Sequence, residues 1–177
     1  KDIKMSSELL VEDNFLAESE FKTLQELLLG SDFPWYYNKG IVFDGDNDFQ
    51  FTHTFYLDLV WKSSYYPVLE PILRKVNPFA LFRIKANLLP LSLDITENTF
   101  HTDIGPPFLN LDRTEQWSTS IMYINTNNGY TMFEDGRKVE SVENRFITFP
   151  ANWKHKGTTC TDENIRVILN FNWFLNE

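Results

Sequence analysis

The first 30 residues carry apolar side chains in a helical pattern. The apolar positions recur near a period of 3.6 residues, and acidic residues fill the positions between them. Gly30 ends the pattern, as glycine commonly does after the last turn of a helix. We therefore predict a helix here that packs against a larger body. Its apolar positions are Phe15, Leu16, Phe21, Leu24, Leu27 and Leu28.

A second helix is predicted over Tyr66–Lys75. Pro67 falls in its first turn, where the missing N–H costs nothing, whereas Pro71 interrupts its continuity. Between the two helices, turn residues separate strand-like pieces such as Phe49–Tyr56. The acidic run over 44–48 lacks the glutamate that ends a calcium-binding loop, so it is interpreted as a solvated turn.

After Pro78 the pattern changes to short segments with β character, separated by turns. Such regular spacing is typical of a β-sandwich or barrel. The dipeptide Asp135-Gly136 predicts a two-residue hairpin turn, since both of its residues tolerate positive φ. The predicted strands are Leu81–Leu89, Thr99–Asp103, Ser118–Asn125, Thr131–Glu134, Arg137–Val142, Arg145–Phe149 and Ile165–Phe174.

Length and composition are consistent with one globular domain. The chain has 177 residues, of which 42% are hydrophobic and 23% charged, which excludes a disordered or collagen-like protein. We expect residues 1–78 to buttress and cover a β core formed by 79–177. No apolar run is long enough to cross a bilayer, and residues 1–20 lack the apolar segment of a signal peptide. The expected location is the cytoplasm.

Charge and cysteine content restrict the partners. The net charge of -9 opposes binding to phosphate backbones, so nucleic acid is a disfavoured partner, and no membrane partner is expected. Cys160 is the single cysteine, so it has no partner for an intramolecular disulfide and is expected to be inert. The sequence indicates no particular oligomeric state.

Two segments carry residues suited to a metal centre. His101 and Asp103 stand two apart on a predicted strand, which places both side chains on one face. With His155 they make two imidazoles and one carboxylate, the ligand set typical of non-haem Fe(II), while the absence of thiolates argues against structural zinc. A His-x-Asp motif is common by chance, so a structural pair is the alternative interpretation. His53 has no carboxylate two residues away and is interpreted as structural.

An arginine inside a predicted apolar strand favours the metal-centre interpretation over the structural one. Arg166 lies 11 residues after His155, inside the apolar strand Ile165–Phe171. An arginine within a barrel strand is costly unless an anion meets it, and its forked donors match a carboxylate.

Together these segments resemble the 2-oxoglutarate- and Fe(II)-dependent dioxygenase superfamily, most closely its prolyl-hydroxylase-like members and related phage-type proteins. The resemblance covers about residues 80–175 and implies a double-stranded β-helix, a cupin-like jelly-roll barrel that is mainly β and backed by N-terminal helices. The motifs that carry it are His101-x-Asp103, Ser120–Asn125, Asn128–Phe133, Phe149-Pro150 before His155, and Arg166 followed by Phe171–Phe174.

The resemblance implies a role for individual residues. His101, Asp103 and His155 would bind Fe(II), and Arg166 would hold the distal carboxylate of 2-oxoglutarate. Tyr123 would assist that carboxylate through its hydroxyl; the alternative is a core aromatic residue whose hydroxyl reaches the surface.

Two further positions concern the other end of the cosubstrate. Asn87 is a candidate contact, or alternatively a simple strand-edge amide. Leu89 stands where some relatives have a tyrosine, so the contact to the C1 carboxylate would fall to Asn87.

The implied cofactors are Fe(II), 2-oxoglutarate and O2, with ascorbate as a stimulant. The implied reaction is hydroxylation of an unactivated C–H bond, of a peptidyl proline or another protein side chain. The alternatives are a hydroxylase of a small molecule, such as an amino acid or metabolite, and a barrel that binds metal or ligand without catalysis. The segment over 104–116 follows the ligands directly and is expected to act as a lid.

Overall fold

A computed structural model describes residues 8–41, 49–104 and 117–175. The first part of the chain supplies edge strands and both α-helices, and the remainder is almost entirely β. A 3₁₀ turn over Tyr66–Leu69 leads directly into the second helix. In chain order the elements are β1 (Leu10–Glu12), α1 (Glu18–Leu29), β2 (Tyr36–Lys39), β3 (Phe49–Leu57), β4 (Val60–Trp61), α2 (Glu70–Val76), β5 (Ala80–Pro90), β6 (Ser118–Tyr123), β7 (Tyr130–Phe133), β8 (Lys138–Glu140), β9 (Phe146–Pro150), β10 (His155–Gly157) and β11 (Ile165–Phe174).

Two antiparallel sheets face each other. Within the described residues, the large sheet has eight strands in the order β1-β9-β6-β11-β5-β3-β2, with β4 paired to β3. The small sheet has three strands in the order β10-β7-β8. This mainly β architecture confirms the predicted double-stranded β-helix. The side of the large sheet that faces the small sheet is called the inner face below.

Alternation along β5 and β11 separates two environments. Val167, Leu169 and Phe171 point to the helices and join a large apolar core there. The residues between them point to the inner face, where a smaller apolar cluster packs. Because side chains alternate along a strand, one strand can build the helix-covered core and line the barrel interior at once. The inner cluster consists of Ile121, Tyr123, Phe133, Val139, Ile147, Phe149 and Ile168.

The N-terminal helix is shorter than predicted. It begins at Glu18, and Leu10–Glu12 form a strand paired with β9. Phe15 and Leu16, which the pattern predicts as helical, lie before the helix in a segment without regular secondary structure: the Phe15 N–H donates to the Asn144 carbonyl, and the Leu16 N–H donates to Asn144 Oδ1, both over 2.9 Å. Tertiary hydrogen bonds thus override the helical pattern before Glu18. The second helical prediction is confirmed by the 3₁₀ turn and α2.

Two β predictions are wrong in detail. Thr99–Asp103 is not a continuous strand: within it His101 pairs with His155 in an isolated bridge, and just before it Glu97 pairs with Thr158 in another. Between these bridges the chain advances four residues on one side and three on the other, so the register does not continue as a ladder. At the hairpin, only Gly136 has positive φ (88°), and the Phe133 N–H donates to the Arg137 carbonyl over 2.9 Å. The connection is a three-residue loop with a left-handed glycine rather than a two-residue turn.

Several sequence predictions lie outside the described residues. These are the solvated turn over 44–48 and, apart from Ile104, the lid over 104–116.

Cys160 is buried, and its thiol lies 3.4 Å from the Glu163 carbonyl oxygen. Among the described helices, none combines the length and apolar character that a membrane crossing requires.

Candidate metal centre

His101, Asp103 and His155 converge at one end of the barrel. The backbones of His101 and His155 pair through two hydrogen bonds of 3.0 and 2.9 Å, which brings the two imidazoles side by side. His155 Nε2 lies 3.6 Å from Asp103 Oδ2, and His101 Nε2 lies 3.9 Å from Asp103 Oδ1. One ligating atom from each residue falls within 4.8 Å of the others. The structure therefore brings together all three residues of the predicted triad.

Hydrogen bonds to the backbone orient both imidazoles. His101 Nδ1 lies 3.0 Å from the Thr99 carbonyl oxygen, and His155 Nδ1 lies 3.1 Å from the Trp153 carbonyl oxygen. A carbonyl oxygen only accepts, so each ring carries its proton on Nδ1 and directs the Nε2 lone pair toward Asp103. This arrangement is typical of metal-binding histidines, in which a partner for one nitrogen fixes the other as the ligand.

The Asp103 carboxylate is held by four donors. Arg83 Nη2 donates to Oδ1 over 3.2 Å. Thr119 Oγ1, Asn170 Nδ2 and Asn172 Nδ2 donate to Oδ2 over 3.1, 3.0 and 3.2 Å. The side chain of Asp103 is only 6% exposed, and buried carboxylates of this kind need such compensation. The donors come from β5, β6 and β11, so the large sheet fixes the ligand.

The electrostatics favour the protonation states that a metal requires. Burial alone would raise the pKa of Asp103, but the His155 imidazole when protonated, the Arg83 guanidinium, the His101 imidazole when protonated and the hydrogen bond from Asn170 hold it well below its usual range. Arg83 is the permanent cation among these groups. Burial lowers the pKa of His155 more than Asp103 raises it. One carboxylate and neutral imidazole nitrogen are the donors that suit non-haem iron, so the residues fit the proposed metal.

Arg166 is buried within the same barrel. Its Nε donates to Ser141 Oγ over 2.9 Å, whereas its buried Nη2 has no hydrogen-bond partner among the described residues. Burial lowers the pKa of Arg166, but a guanidinium keeps its charge in proteins. A buried charge without a partner is costly, so this arrangement is suited to an anionic ligand.

Gly129 makes room for the stem of Arg166. A Cβ added at Gly129 would lie 2.6 Å from Arg166 Cδ and 2.8 Å from the Thr159 carbonyl oxygen. We expect Gly129→Ala to lower the free energy of unfolding by about 1–3 kcal/mol, the usual cost of overpacking. Urea denaturation measures this change. Gly157→Ala is the matched control, because its added Cβ would come no closer than 3.6 Å to Arg166 Nη1; equal losses in both variants would contradict the prediction.

The other predicted cosubstrate residues lie along the same inner face. Tyr123 is fully buried, its hydroxyl donates to Thr131 Oγ1 over 2.8 Å, and its ring centre lies 5.9 Å from the Arg166 guanidinium. The hydroxyl is therefore buried, whereas our alternative interpretation expected it to reach the surface. Asn87 Oδ1 is buried without a partner among the described residues, and Leu89 pairs directly with Arg166 across the strands.

The remaining histidine lies outside the barrel interior. His53 Nδ1 lies 2.8 Å from the Pro34 carbonyl oxygen and Nε2 lies 2.7 Å from Ser63 Oγ, which accounts for both ring nitrogens. Trp173 is buried and donates from Nε1 to Ser120 Oγ over 3.1 Å. Both residues have structural contacts of this kind and do not join the metal cluster.

Sequence reasoning missed the support around Asp103. Asn170 and Asn172 stand four and six residues after Arg166 along β11, and Arg83 and Lys85 stand two apart along β5. Polar residues at even spacing in otherwise apolar strands were the available signal, since even spacing places them on one face. Which of them would meet Asp103 depends on strand order, which alternation does not provide.

Neither a protein-family model nor a curated protein sequence matches this chain. Solved structures do. The viral collagen prolyl hydroxylase of Paramecium bursaria Chlorella virus-1, in its 2-oxoglutarate complex, has a TM-score of 0.63 and 12% identity, covering 99% of this chain and 100% of that one.

Two further structures show the same similarity. The non-haem α-ketoglutarate-dependent carbocyclase of nogalamycin biosynthesis has a TM-score of 0.65 and 11% identity, over 93% of this chain and 78% of that one. The prolyl hydroxylase from Trichoplax adhaerens, in complex with a hypoxia-inducible-factor peptide fragment, has a TM-score of 0.61 and 13% identity, over 96% and 84%. This chain therefore has the double-stranded β-helix fold of the 2-oxoglutarate- and Fe(II)-dependent oxygenases.

Proposed function

We propose that the protein is an Fe(II)- and 2-oxoglutarate-dependent oxygenase that hydroxylates an unactivated C–H bond of a peptidyl proline or another protein side chain. The observation that carries this proposal is the buried Nη2 of Arg166, which has no partner among the described residues, in the barrel that also holds the His101, Asp103 and His155 cluster. A metal-ligand set without a nearby anion site would equally suit a simple metal-binding barrel. The combination favours a metal and a dicarboxylate used together.

The chain's own residues have distinct tasks in this proposal. His101, Asp103 and His155 would hold the metal. Hydrogen bonds at Nδ1 of each histidine and at the Asp103 carboxylate keep the three ligand atoms directed at one point. Arg166 would bind the distal carboxylate of 2-oxoglutarate with its two terminal nitrogens, since its Nε is already used by Ser141.

Tyr123 and Asn87 would complete the cosubstrate site. Tyr123 places its ring beside the Arg166 guanidinium, while its hydroxyl proton is directed to Thr131. We therefore assign Tyr123 to positioning Arg166 through its ring, with its hydroxyl held by Thr131. The side-chain amide of Asn87 would donate to the C1 carboxylate region, where Leu89 offers no polar atom.

When bound, Fe(II) and 2-oxoglutarate supply the oxidising chemistry: O2 gives one oxygen atom to the substrate C–H bond and one to succinate, and CO2 is released. The inner apolar cluster, including Ile121, Phe133 and Phe149, keeps bulk water away from this space. The protein's contribution is thus to orient the reactants and exclude water.

The proposal is tested by measuring succinate formed from 2-oxoglutarate with Fe(II), O2 and panels of proline-containing peptides and free metabolites. We expect at least one peptide to raise succinate formation above the rate without substrate, with a mass increase of 16 Da in that peptide from the added oxygen. The Asp103→Asn variant is the control and should form no succinate. Failure of every proline peptide together with clear stimulation by a free metabolite would contradict the peptidyl-proline assignment.

A small-molecule hydroxylase is the second candidate function. The carbocyclase from nogalamycin biosynthesis shares the fold over 93% of this chain, which shows that this fold is not restricted to peptide-binding enzymes. The metabolite panel decides between the two candidates. Binding of metal and 2-oxoglutarate without any turnover would instead support a non-catalytic barrel.

A further inference from the structure

Two cations on β5 face the barrel interior: Arg83, whose task so far is to hold Asp103, and Lys85, which has no task in the proposed function. Arg83 pairs across the strands with Asn172, and Lys85 pairs with Asn170. Both asparagines donate to Asp103 on the inner face. Because paired residues of antiparallel strands direct their side chains to the same side, Arg83 and Lys85 share this face with the metal centre.

Lys85 has no counter-ion of its own among the described residues. It makes no salt bridge or hydrogen bond there; burial and the nearby Arg83 charge lower its pKa to about 8, against the opposing effect of the Asp103 carboxylate. The β11 residue opposite it, Asn170, is already directed at Asp103. Lys85 is partly buried, and a partly desolvated ammonium is stabilised when an anion binds beside it.

Arg83 is only partly satisfied. Its Nε donates to Asn172 Oδ1 over 2.9 Å and its Nη2 donates to Asp103 Oδ1 over 3.2 Å. A guanidinium has five N–H donors, so three remain for a ligand. Together with Lys85, these donors can bind both oxygens of a carboxylate, and the phosphoserine probe below tests a phosphate as the alternative anion.

The charge of the interior supports this assignment. Among the described residues of the inner face, Arg83, Lys85 and Arg166 are cationic, and Asp103 is the carboxylate that faces them. Two positive charges are therefore in excess. A divalent metal and the dianion of 2-oxoglutarate cancel each other, so the excess remains when both are bound. In a chain of net charge -9, this local positive charge favours an anionic substrate.

Lys85 and Arg166 lie at different levels of the barrel. Arg166 pairs with Leu89, four residues further along β5 than Lys85, which corresponds to roughly 13 Å along a strand. The Lys85 side chain instead lies level with the asparagines that hold Asp103. Its position thus corresponds to the substrate side of the metal centre and not to the distal end of the cosubstrate.

We infer that Arg83 and Lys85 bind a carboxylate of the substrate and thereby place the target C–H bond beside the metal. This inference rests on the proposed function and specifies its substrate class. The carboxylate can be that of a free amino acid or other carboxylic acid, or an acidic side chain near the target residue of a peptide. Arg83 and Lys85 are binding residues in this assignment.

The test measures binding without turnover. Protein loaded with Mn(II) and 2-oxoglutarate, without O2, is titrated calorimetrically with matched probes: free L-amino acids against their amides, tripeptides containing glutamate against the glutamine versions, and phosphoserine. We expect at least one carboxylate probe to bind at least tenfold more tightly than its amide. Free-acid and peptide pairs then identify which source the site uses.

Substitutions assign the preference to Lys85. Lys85→Met should abolish the tenfold difference, whereas Lys85→Arg should retain most of it. Lys85→Gln is a second neutral variant, and urea denaturation checks that each variant folds. Lys39→Met is the matched control, because Lys39 is exposed on β2. The 2-oxoglutarate affinity of Lys85→Met should equal that of the wild type.

Three results would overturn the inference alone: no carboxylate preference in wild-type protein that binds 2-oxoglutarate, a preference that persists in Lys85→Met, or tighter binding of phosphoserine than of every carboxylate probe. A loss of 2-oxoglutarate affinity in Lys85→Met would also overturn it, because Lys85 would then hold the cosubstrate. Failure of the Mn(II)-loaded wild type to bind 2-oxoglutarate at all would overturn the proposed function together with this inference.

Discussion

Replacing Asp103 with alanine is expected to lower the affinity of the protein for Mn(II) or Fe(II) by at least about 100-fold, because loss of a residue that merely supports a ligand costs about 10- to 100-fold. Asp103 is the single carboxylate in the cluster of potential ligands that the described residues form. Its loss leaves two neutral imidazoles, which are a weaker site for a divalent cation. Calorimetric titration of metal into the ligand-free protein measures the effect.

Stability needs a separate check in this variant. Asp103→Ala leaves the donors on Arg83, Asn170 and Asn172 without their acceptor, and each buried unsatisfied group costs about 1–3 kcal/mol. Asp103→Asn removes the charge while keeping the volume and one carbonyl oxygen, so it tests the ligand role in a better-preserved barrel. Asp135→Ala is the matched control, since Asp135 is an exposed partner of Arg137. Wild-type metal affinity in both Asp103→Ala and His155→Ala would show that the triad assignment is wrong.

The metal cluster could be predicted from the spacing of its residues and from their places beside predicted strands. His101 and Asp103 are two apart, and His155 follows the strand that ends at Pro150. However, a strand that places His101 and Asp103 on one face does not explain how they converge with His155. The 97–103 segment is not a continuous strand, and the two histidines meet through an isolated bridge. Convergence therefore results from this backbone pairing, with Asp103 fixed by β5, β6 and β11.

Partners distant in the sequence could not be predicted. Asn172 lies 69 residues from Asp103, and its contact depends on β11 being the neighbour of both β5 and β6. Alternation shows which residues share a face of a strand, but strand order and register are set by the packing of the whole sheet. The same limit applies to Leu10–Glu12, which pair with β9 although the local pattern favours a helix.

The burial of Arg166 is the feature that connects fold and chemistry most directly. In β11 the apolar residues Val167 and Leu169 anchor the strand in the helix-covered core, and this fixes Arg166 on the opposite side. A surface arginine would be solvated and carry little specificity, whereas the buried Nη2 of this guanidinium is unpaired within the part of the chain that the structure describes. Binding of an anion offsets the free-energy cost of burying the Arg166 charge. We therefore expect the anion to bind inside the barrel.

Replacing Arg166 with methionine is therefore expected to weaken 2-oxoglutarate binding by about ten- to a hundredfold, since a charge-assisted hydrogen bond contributes about 1.5–3 kcal/mol. Methionine keeps an unbranched stem and removes the charge. At a 2-oxoglutarate concentration 100 times the wild-type dissociation constant, the ligand stabilises wild-type protein by about 2.7 kcal/mol; a hundredfold weaker variant would gain only about 0.4 kcal/mol. Urea denaturation of the Mn(II)-loaded protein, with and without 2-oxoglutarate, measures both values.

Arg137→Met provides the matched control, because Arg137 is a half-exposed arginine paired with Asp135 outside the barrel interior, and its loss should leave the stabilisation by 2-oxoglutarate intact. Arg166→Met protein that folds normally and retains the full 2-oxoglutarate stabilisation would contradict the assignment. The anchor would then be another interior cation, and Lys85→Met and Arg83→Met would identify it, since these are the other cationic side chains that the described part of β5 directs to the inner face. If Arg166→Met loses the stabilisation by 2-oxoglutarate and Lys85→Met keeps it, Arg166 binds the cosubstrate and Lys85 does not.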